Sequence, residues 1–228
     1  MVERVCSQCD LGTSGIVLAV GIKETQENQF HVVIVLKTKG QLNAFHLAWN
    51  RVLMFDQLKP GYLIAIPEID RRRLLSIAAK VRMAVNANKG GSVPYGFGSP
   101  ENRFSSITFA YNNSSKEFGL TCATFVYSIL CSAGWQILDY SDWEERDGDG
   151  EWRAKILEHL KNGIPAAGIG PASKEDYAEA EGCSPAIRIR PTDLVAAVGA
   201  NEDQSPASFR QVVDCTKAVL QLAKVCGG

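Results

Sequence analysis

The amino-acid sequence predicts an α+β fold in which an antiparallel β-sheet packs against helices. Strand-like segments occupy roughly residues 15–66, and segments with helical spacing of apolar residues follow from residue 69 onward. Strands first and helices after are typical of α+β domains. The chain has 228 residues, of which 46% are hydrophobic and 21% are charged. This composition is ordinary for a globular protein with a sizeable core.

The first part of the chain contains five candidate strands. They are short runs rich in β-branched or aromatic residues, bounded by polar or glycine-containing stretches, at residues 15–20, 30–36, 42–49, 52–55 and 62–66. Thr38-Lys39-Gly40 is typical of a tight turn, so the second and third strands are expected to form a hairpin.

Helical spacing of apolar residues predicts helices over residues 69–88 and 121–133. The last third is more weakly patterned and predicts short helices near residues 151–160, 174–180 and 206–225, with a possible strand at 186–190. We therefore expect residues 1–135 to form the core and residues 136–228 a helical extension packed on it, not an independent domain. Within the last third we expect His159 at the surface and the tryptophans in the core, namely Trp135, Trp143 and Trp152.

Charge and hydropathy exclude several classes of partner. The formal net charge is -1, from 24 basic and 25 acidic residues, so no nucleic-acid partner is expected. No apolar run is long enough to span a bilayer, and the N-terminus lacks the pattern of a secretory signal. The sequence thus predicts a cytoplasmic protein without a transmembrane segment, while export by a non-classical route and the oligomeric state stay open.

The cysteine pattern predicts reduced thiols and leaves open whether Cys6 and Cys9 bind a metal. Seven cysteines are present, and without a secretory signal they are expected to be unpaired. Cys6 and Cys9 form a CxxC, which is half of a zinc site, but no second half follows at the required spacing. We expect no cofactor.

Two of the three histidines fall in the predicted hairpin. A turn at Thr38-Lys39 pairs residues whose numbers sum to 77, which puts His31 directly opposite His46, with Cβ atoms about 5 Å apart. A turn at Lys39-Gly40 makes them diagonal on the same face, and an odd loop or a bulge separates them. Two neutral imidazoles on one face can hydrogen-bond each other, which leaves one nitrogen free as a base.

Cys122 is the candidate nucleophile, because it lies at the start of the helix predicted over residues 121–133. Unpaired amides and the helix dipole at such a position favour a thiolate, so we expect the pKa of Cys122 to be lowered. The same amides can hold a developing oxyanion. Cys131 lies deep in the same helix, where no free amides remain, and fits a buried structural thiol.

Four segments together resemble a known family. Residues 30–36 (Phe-His-Val-Val-Ile-Val-Leu) and 43–48 (Asn-Ala-Phe-His-Leu-Ala) resemble the two histidine strands of NlpC-type papain-like cysteine peptidases. Residues 119–126 (Gly-Leu-Thr-Cys-Ala-Thr-Phe-Val) resemble the nucleophile helix of that family, and residues 93–98 (Val-Pro-Tyr-Gly-Phe-Gly) resemble its Pro-Tyr-x-x-Gly motif. The histidines precede the cysteine, as in the circularly permuted branch of the superfamily.

The resemblance covers roughly residues 15–135 and implies a permuted papain-like core. It implies that Cys122, His31 and His46 are catalytic, and that Tyr95 and Thr121 contact the substrate or the oxyanion. Thr121 stands where the family usually has aspartate, and Ala123-Thr124 replaces Ser-Gly.

The sequence hypothesis is a thiol hydrolase that cleaves a peptide or isopeptide bond through a thioester intermediate. The alternative within enzymes is an acyltransferase or thioesterase acting on lipid or protein acyl groups. The alternatives from other classes are a zinc-binding module that uses Cys122, His31 and His46 as ligands, or an inactive interaction domain. The expected partner is therefore a peptide-like or acyl substrate.

Overall fold

The computed structural model describes residues 5–7, 17–26, 29–112, 119–165, 168–183, 187–200 and 205–226. Over these residues the predicted α+β class is confirmed, with an antiparallel sheet packed against helices. The strands are β1 (Val5–Ser7), β2 (Leu18–Gln26), β3 (Gln29–Thr38), β4 (Gln41–Trp49), β5 (Val52–Gln57) and β6 (Leu63–Ala65). The helices are α1 (Arg71–Ala87), α2 (Cys122–Ser132), α3 (Asp149–Asn162), α4 (Lys174–Gly182), α5 (Pro191–Ala200) and α6 (Phe209–Cys226).

A short segment crosses one face of the sheet, because it connects two strands that lie far apart in the strand order. The strand order is β1-β6-β2-β3-β4-β5, so residues 58–62 connect the edge strand β5 to β6 across three intervening strands. In a flat sheet β5 and β6 would lie about 19 Å apart, close to the full reach of that segment, roughly 20 Å. Leu58 and Tyr62 from this segment cover a buried cluster that includes Val33, Val35 and Ala44. We call the sheet face that carries Val33, Val35 and Ala44 the inner face, and the opposite face the outer face.

The outer face of the sheet packs against the helices in one large core. This core combines strand residues such as Ile34 and Phe45 with residues of α1, α2 and α5. Residues 122–130 of α2 are buried on all sides, because α2 lies between the sheet, α1 and α5. Trp135 and Trp143 also belong to this core, as predicted.

The structure corrects several boundaries in the sequence prediction. The possible strand at 186–190 is wrong over its described part, because residues 187–190 are extended but pair with no strand. Helix α5 follows directly and was missed, because its residues 191–199 are buried on every side and show no amphipathic pattern. Strand β2 continues to Gln26, and the short strand β1 was not predicted. Cys9 of the CxxC lies outside the described residues.

One polar contact ties the last third of the chain to the sheet. Asp176 of α4, whose side chain is 2% exposed, receives hydrogen bonds from Arg51 Nε at 2.7 Å and from Asn50 Nδ2 at 2.9 Å. Asn50 Oδ1 in turn accepts a bond from the Tyr95 amide at 2.9 Å. The turn between β4 and β5 is therefore held to α4 and to the segment that carries Tyr95.

We expect Asp176→Ala to lower the free energy of unfolding by about 2 kcal/mol, since it leaves Asn50 and the Arg51 guanidinium without their charged partner. Urea denaturation of the variant and of the wild-type protein measures the difference. The exposed neighbour Glu175 provides the control, because Glu175→Ala should change the stability by less than about 0.5 kcal/mol. Equal losses in the two variants would contradict a tethering role for Asp176.

Candidate functional site

A cleft of about 320 Å³ lies at one end of the sheet, and the five candidate site residues line it together. They come from β3, from β4, from the segment before α2 and from the first residue of α2, namely His31, His46, Tyr95, Thr121 and Cys122. The cleft is large enough for a small substrate group. The structure thus brings together residues that are up to 91 positions apart in the chain (His31 to Cys122).

The two histidines contact each other directly across the β3–β4 hairpin. The turn uses Lys39 and Gly40 with φ of 52° and 83°, and two positive φ values are the signature of a type I′ turn. Residues therefore pair with a sum of 79, as in Ile34 opposite Phe45, which makes the histidines diagonal on the inner face. His31 Nε2 lies 2.7 Å from His46 Nδ1.

The backbone pairing between β3 and β4 ends before it reaches the histidines. The ladder runs from Thr38–Gln41 to Ile34–Phe45, while His31 pairs with β2 and His46 pairs with β5. The two strands thus separate at this end of the sheet, and the N-terminus of α2 lies at the separation. The sulfur of Cys122 interacts there with the backbone amide of Val32, the residue that follows His31.

Asp56 contacts His46, the second histidine of the pair. His46 Nε2 lies 3.7 Å from Asp56 Oδ1, and the Asp56 side chain is 35% exposed. The carboxylate favours a proton on His46 Nε2, so His46 Nδ1 accepts the hydrogen bond from His31 Nε2. This arrangement assigns the tautomer of His31 and leaves its Nδ1 as the nitrogen available to act as a base.

Sequence reasoning missed Asp56 because a bulge decides which face it occupies. A regular hairpin through the turn at Asn50-Arg51 would continue the Trp49–Val52 pairing and place Asp56 opposite Phe45, on the outer face. The register shifts between Leu47 and Trp49, so that Asp56 lies opposite Ala44 on the inner face, beside His46. A one-residue shift moves every later side chain to the other face. No feature of the sequence around Leu47 and Trp49 predicts this shift.

A capping box fixes the helix start that carries Cys122. Thr121 Oγ1 accepts a hydrogen bond from the Thr124 amide at 3.1 Å, and Thr124 Oγ1 accepts one from the Thr121 amide at 2.8 Å. Such reciprocal bonds satisfy two of the unpaired amides of a helix start. Thr121 lines the cleft, but its hydroxyl is engaged in the cap, so its contribution is to hold the backbone on which Cys122 sits.

Tyr95 lies against both the sulfur and the backbone amide of Cys122. Its hydroxyl donates a hydrogen bond to the sulfur and also lies at the amide of Cys122. The Tyr95 ring is buried and packs against Trp49 with ring centroids 4.9 Å apart. A substrate carbonyl oxygen placed between this hydroxyl and the Cys122 amide would have two donors, which is the requirement for an oxyanion hole.

Burial keeps the thiol and the imidazoles uncharged, contrary to the sequence expectation for Cys122. Burial raises the pKa of Cys122, although the Val32 amide, the Tyr95 hydroxyl and the charge of Arg188 act in the opposite direction. Burial lowers the pKa of His31 to about 3, and His46 adds to the effect. The pKa of His46 is also lowered by burial, against an opposing effect of Asp56. In the resting site the thiol and the imidazoles that line the cleft are therefore all neutral.

The opposite wall of the cleft comes from the last third of the chain. Trp152, Ile156 and His159 of α3 line it, together with Ile169 and Arg188 from later segments. Trp152 and His159 are half-buried in this wall. As predicted, Trp152 packs against the core, and it also lines the cleft, whereas His159, which was predicted at the surface, is half-buried in this wall.

Metal-binding clusters and membrane-spanning helices are both absent from the described part of the chain. No group of three or more His, Cys, Asp or Glu side chains there is arranged to hold a metal ion. The ring nitrogens of His31 and His46 face each other instead of a common centre. Likewise, no helix among the described residues is both long and apolar enough to cross a membrane.

Comparison with known proteins does not assign the chain to a family. No protein-family model, curated protein or solved structure matches it. The case for a function consequently rests on the chemistry of the cleft.

Acid should destabilise the protein through His31. Its folded-state pKa of about 3 lies below the ordinary value of 6.5, so below pH 6.5 the unfolded chain takes up a proton that the folded chain excludes. The free energy of unfolding then falls as the pH falls from 6.5 toward 3, by about 2 kcal/mol at pH 5. Denaturation at a series of pH values should show this loss in the wild-type protein and a shallower slope in His31→Gln.

His159→Gln is the matched control, because it removes the histidine of the cleft wall that lies outside the His31–His46 pair. It should retain the pH slope of the wild-type protein. If His31→Gln and the wild-type protein lose stability in parallel between pH 6.5 and 5, the exclusion of a proton from His31 is refuted.

Proposed function

We propose that the protein is a thiol hydrolase of the permuted papain-like, NlpC-type kind, which cleaves an amide bond through a thioester on Cys122. The observation that carries this proposal is the His31–His46 hydrogen bond in the same cleft as Cys122. It orients an imidazole whose free nitrogen is Nδ1, in the cleft that a thiol at a helix start also lines. Nucleophile, base and orienting group are the three parts that nucleophilic catalysis requires.

The proposed first step begins from the neutral pair. Cys122 Sγ attacks the carbonyl carbon while its proton passes to His31 Nδ1, and the charge that develops on the imidazole is stabilised through His46 and Asp56. The carbonyl oxygen becomes an oxyanion held by the Cys122 amide and the Tyr95 hydroxyl. His31 then gives the proton to the leaving amine, which leaves a thioester for water to hydrolyse.

An acyltransferase or thioesterase is the second candidate, and the apolar wall of the cleft favours it. Trp49, Ile156, Ile164, Ile169 and Ile189 line the space in front of the thiol, and such a surface suits an acyl chain as well as an apolar peptide side chain. All of these candidates share the thioester on Cys122: an acyltransferase differs from the hydrolase in the acceptor, and a thioesterase differs from it in the bond that is cleaved. Analysis of the products formed with and without an added primary amine distinguishes hydrolysis from transfer.

We expect p-nitrophenyl acetate to give a burst of p-nitrophenol and an acetyl group on Cys122. Peptide mass spectrometry of the protein quenched within the burst locates the adduct. Cys122→Ala should abolish the burst, and His31→Ala should slow it at least 100-fold, within the range typical of a general base. Cys131→Ala is the control, because it removes a thiol of the same helix outside the cleft, and the burst should persist. Acetylation of Cys131 to the same extent as Cys122 would argue against the proposal.

Asp56→Asn should slow the acylation of Cys122 about tenfold, as is typical when a partner of a functional histidine is removed. The expected cause is loss of the preference for a proton on His46 Nε2, which correlation of imidazole ¹⁵N and ¹H shifts by NMR detects directly. Asp56→Glu, which keeps the carboxylate, is the matched variant and should retain most of the rate. An unchanged tautomer and an unchanged rate in Asp56→Asn would show that Asp56 does not orient the pair.

A further inference from the structure

Arg188 lies between the cleft and a second cavity of about 160 Å³, and it lines both. It belongs to the extended segment 187–190, which leads into α5. Its guanidinium carbon lies 3.7 Å from the centroid of the Trp152 ring, so the planar group stacks on an aromatic face. The Arg188 side chain is 19% exposed and is among the residues that line the cleft.

The hydrogen bonds of Arg188 do not use all of its donors. Arg188 Nη1 donates to Asp149 Oδ1 at 3.0 Å, but the same oxygen also accepts bonds from Arg190 Nε at 3.1 Å and from Arg190 Nη2 at 2.9 Å. Arg188 Nε is buried and has no hydrogen-bond partner. One carboxylate is thus shared by two guanidinium groups, and a buried donor of Arg188 is left unpaired.

The cluster around Arg188 carries an excess of positive charge. Asp193 is fully buried and is engaged by Arg146 through two hydrogen bonds, at 2.9 and 2.6 Å. Asp149 is left to balance both Arg188 and Arg190. Three guanidinium groups therefore face two carboxylates. No Asp or Glu is found among the described residues that line the cleft, and Glu145 lines only the second cavity.

The charge of Arg188 acts on the reacting groups. It lowers the pKa of Cys122 and the pKa of Tyr95, against the larger effect of burial in each case. Among apolar walls of low dielectric, an excess positive charge this close to the thiol favours a negatively charged ligand. The planar fork of a guanidinium matches a carboxylate in particular, because it can donate two parallel hydrogen bonds.

We propose that Arg188 binds a carboxylate of the substrate beside the scissile acyl group, so that the preferred substrate is an acidic, peptide-like amide. The unpaired donor, the excess charge and the stacking on Trp152 in the cleft that Cys122 also lines carry this inference. It rests on the proposed function for the identity of the bond that is cleaved, and it adds the chemical class of the group next to that bond.

Alkylation of Cys122 by iodoacetate and by iodoacetamide tests the inference without a known substrate. In both reactions the sulfur displaces iodide from a methylene carbon, the thiol proton passes to His31, and the reagents differ mainly in carrying a carboxylate or a neutral amide. We expect the ratio of the iodoacetate rate to the iodoacetamide rate to be about tenfold higher at Cys122 than at Cys131, which corresponds to one favourable ionic contact. Peptide mass spectrometry at timed intervals measures both sites in the same sample.

Arg188→Gln should remove the preference for iodoacetate, and Arg188→Lys, which keeps the charge without the planar fork, should retain part of it. Arg153→Gln is the matched control, because Arg153 also stacks on an aromatic ring, that of Phe97, but lines only the second cavity. It should keep the wild-type ratio. Circular dichroism confirms that each variant is folded, and if Arg188→Gln does not fold, the ratios for Arg188→Lys and the wild-type protein decide the question.

The outcomes separate this inference from the proposed function. If iodoacetamide labels Cys122 in a His31-dependent manner but iodoacetate shows no preference, the thiol is activated and the carboxylate site is refuted. If neither reagent labels Cys122 faster than Cys131, and His31→Ala changes nothing, the proposed function itself fails. A preference that survives Arg188→Gln would assign the carboxylate to another group.

Discussion

The hydrogen bond between His31 and His46 joins β3 and β4 where their backbone pairing has already ended. The strands separate beyond Ile34 and Phe45, and at 2.7 Å the two imidazoles form a side-chain link in place of the missing ladder. The rest of the site depends on this arrangement. The opening accommodates the start of α2, the Val32 amide reaches the sulfur of Cys122, and the link itself determines which nitrogen of His31 is free.

Desolvation gives the site its resting state. A helix start and an imidazole would favour a thiolate in water, but the cleft is deep enough that burial dominates both pKa values and keeps both groups neutral. Charge would therefore separate only during attack, when the sulfur gives up its proton and the Tyr95 hydroxyl and Cys122 amide receive the oxyanion. Such preorganised donors are most effective where water is excluded.

The last third of the chain completes the cleft through ionic contacts whose charges are not fully balanced. Asp176 ties α4 to the β4–β5 turn, and Asp193 and Asp149 hold the segment that carries Arg188. Because breaking a buried ion pair is costly, these contacts hold the wall of Trp152 and Arg188 at a defined distance from the thiol. In the same network the guanidinium groups of Arg146, Arg188 and Arg190 outnumber the carboxylates of Asp149 and Asp193 by one. The ion pairs that stabilise the wall therefore also supply the positive charge for which we propose a carboxylate of the substrate as the partner.

The sequence by itself determined the features that depend on short-range patterns. The turn at Thr38-Lys39-Gly40 between two strand-like runs predicted the hairpin, and either two-residue turn placed both histidines on one face. Apolar spacing predicted the start of α2 and hence the position of Cys122 in it. Only the tertiary structure decided the rest. The bulge after Leu47 placed Asp56 on the inner face of the sheet. Helix α5 is buried on all sides, so its sequence shows no amphipathic periodicity from which a helix could be predicted. Arg188 came to the cleft through an ion pair to the distant Asp149, and the pKa direction of Cys122 followed from burial, which is a sum over neighbours far apart in the chain.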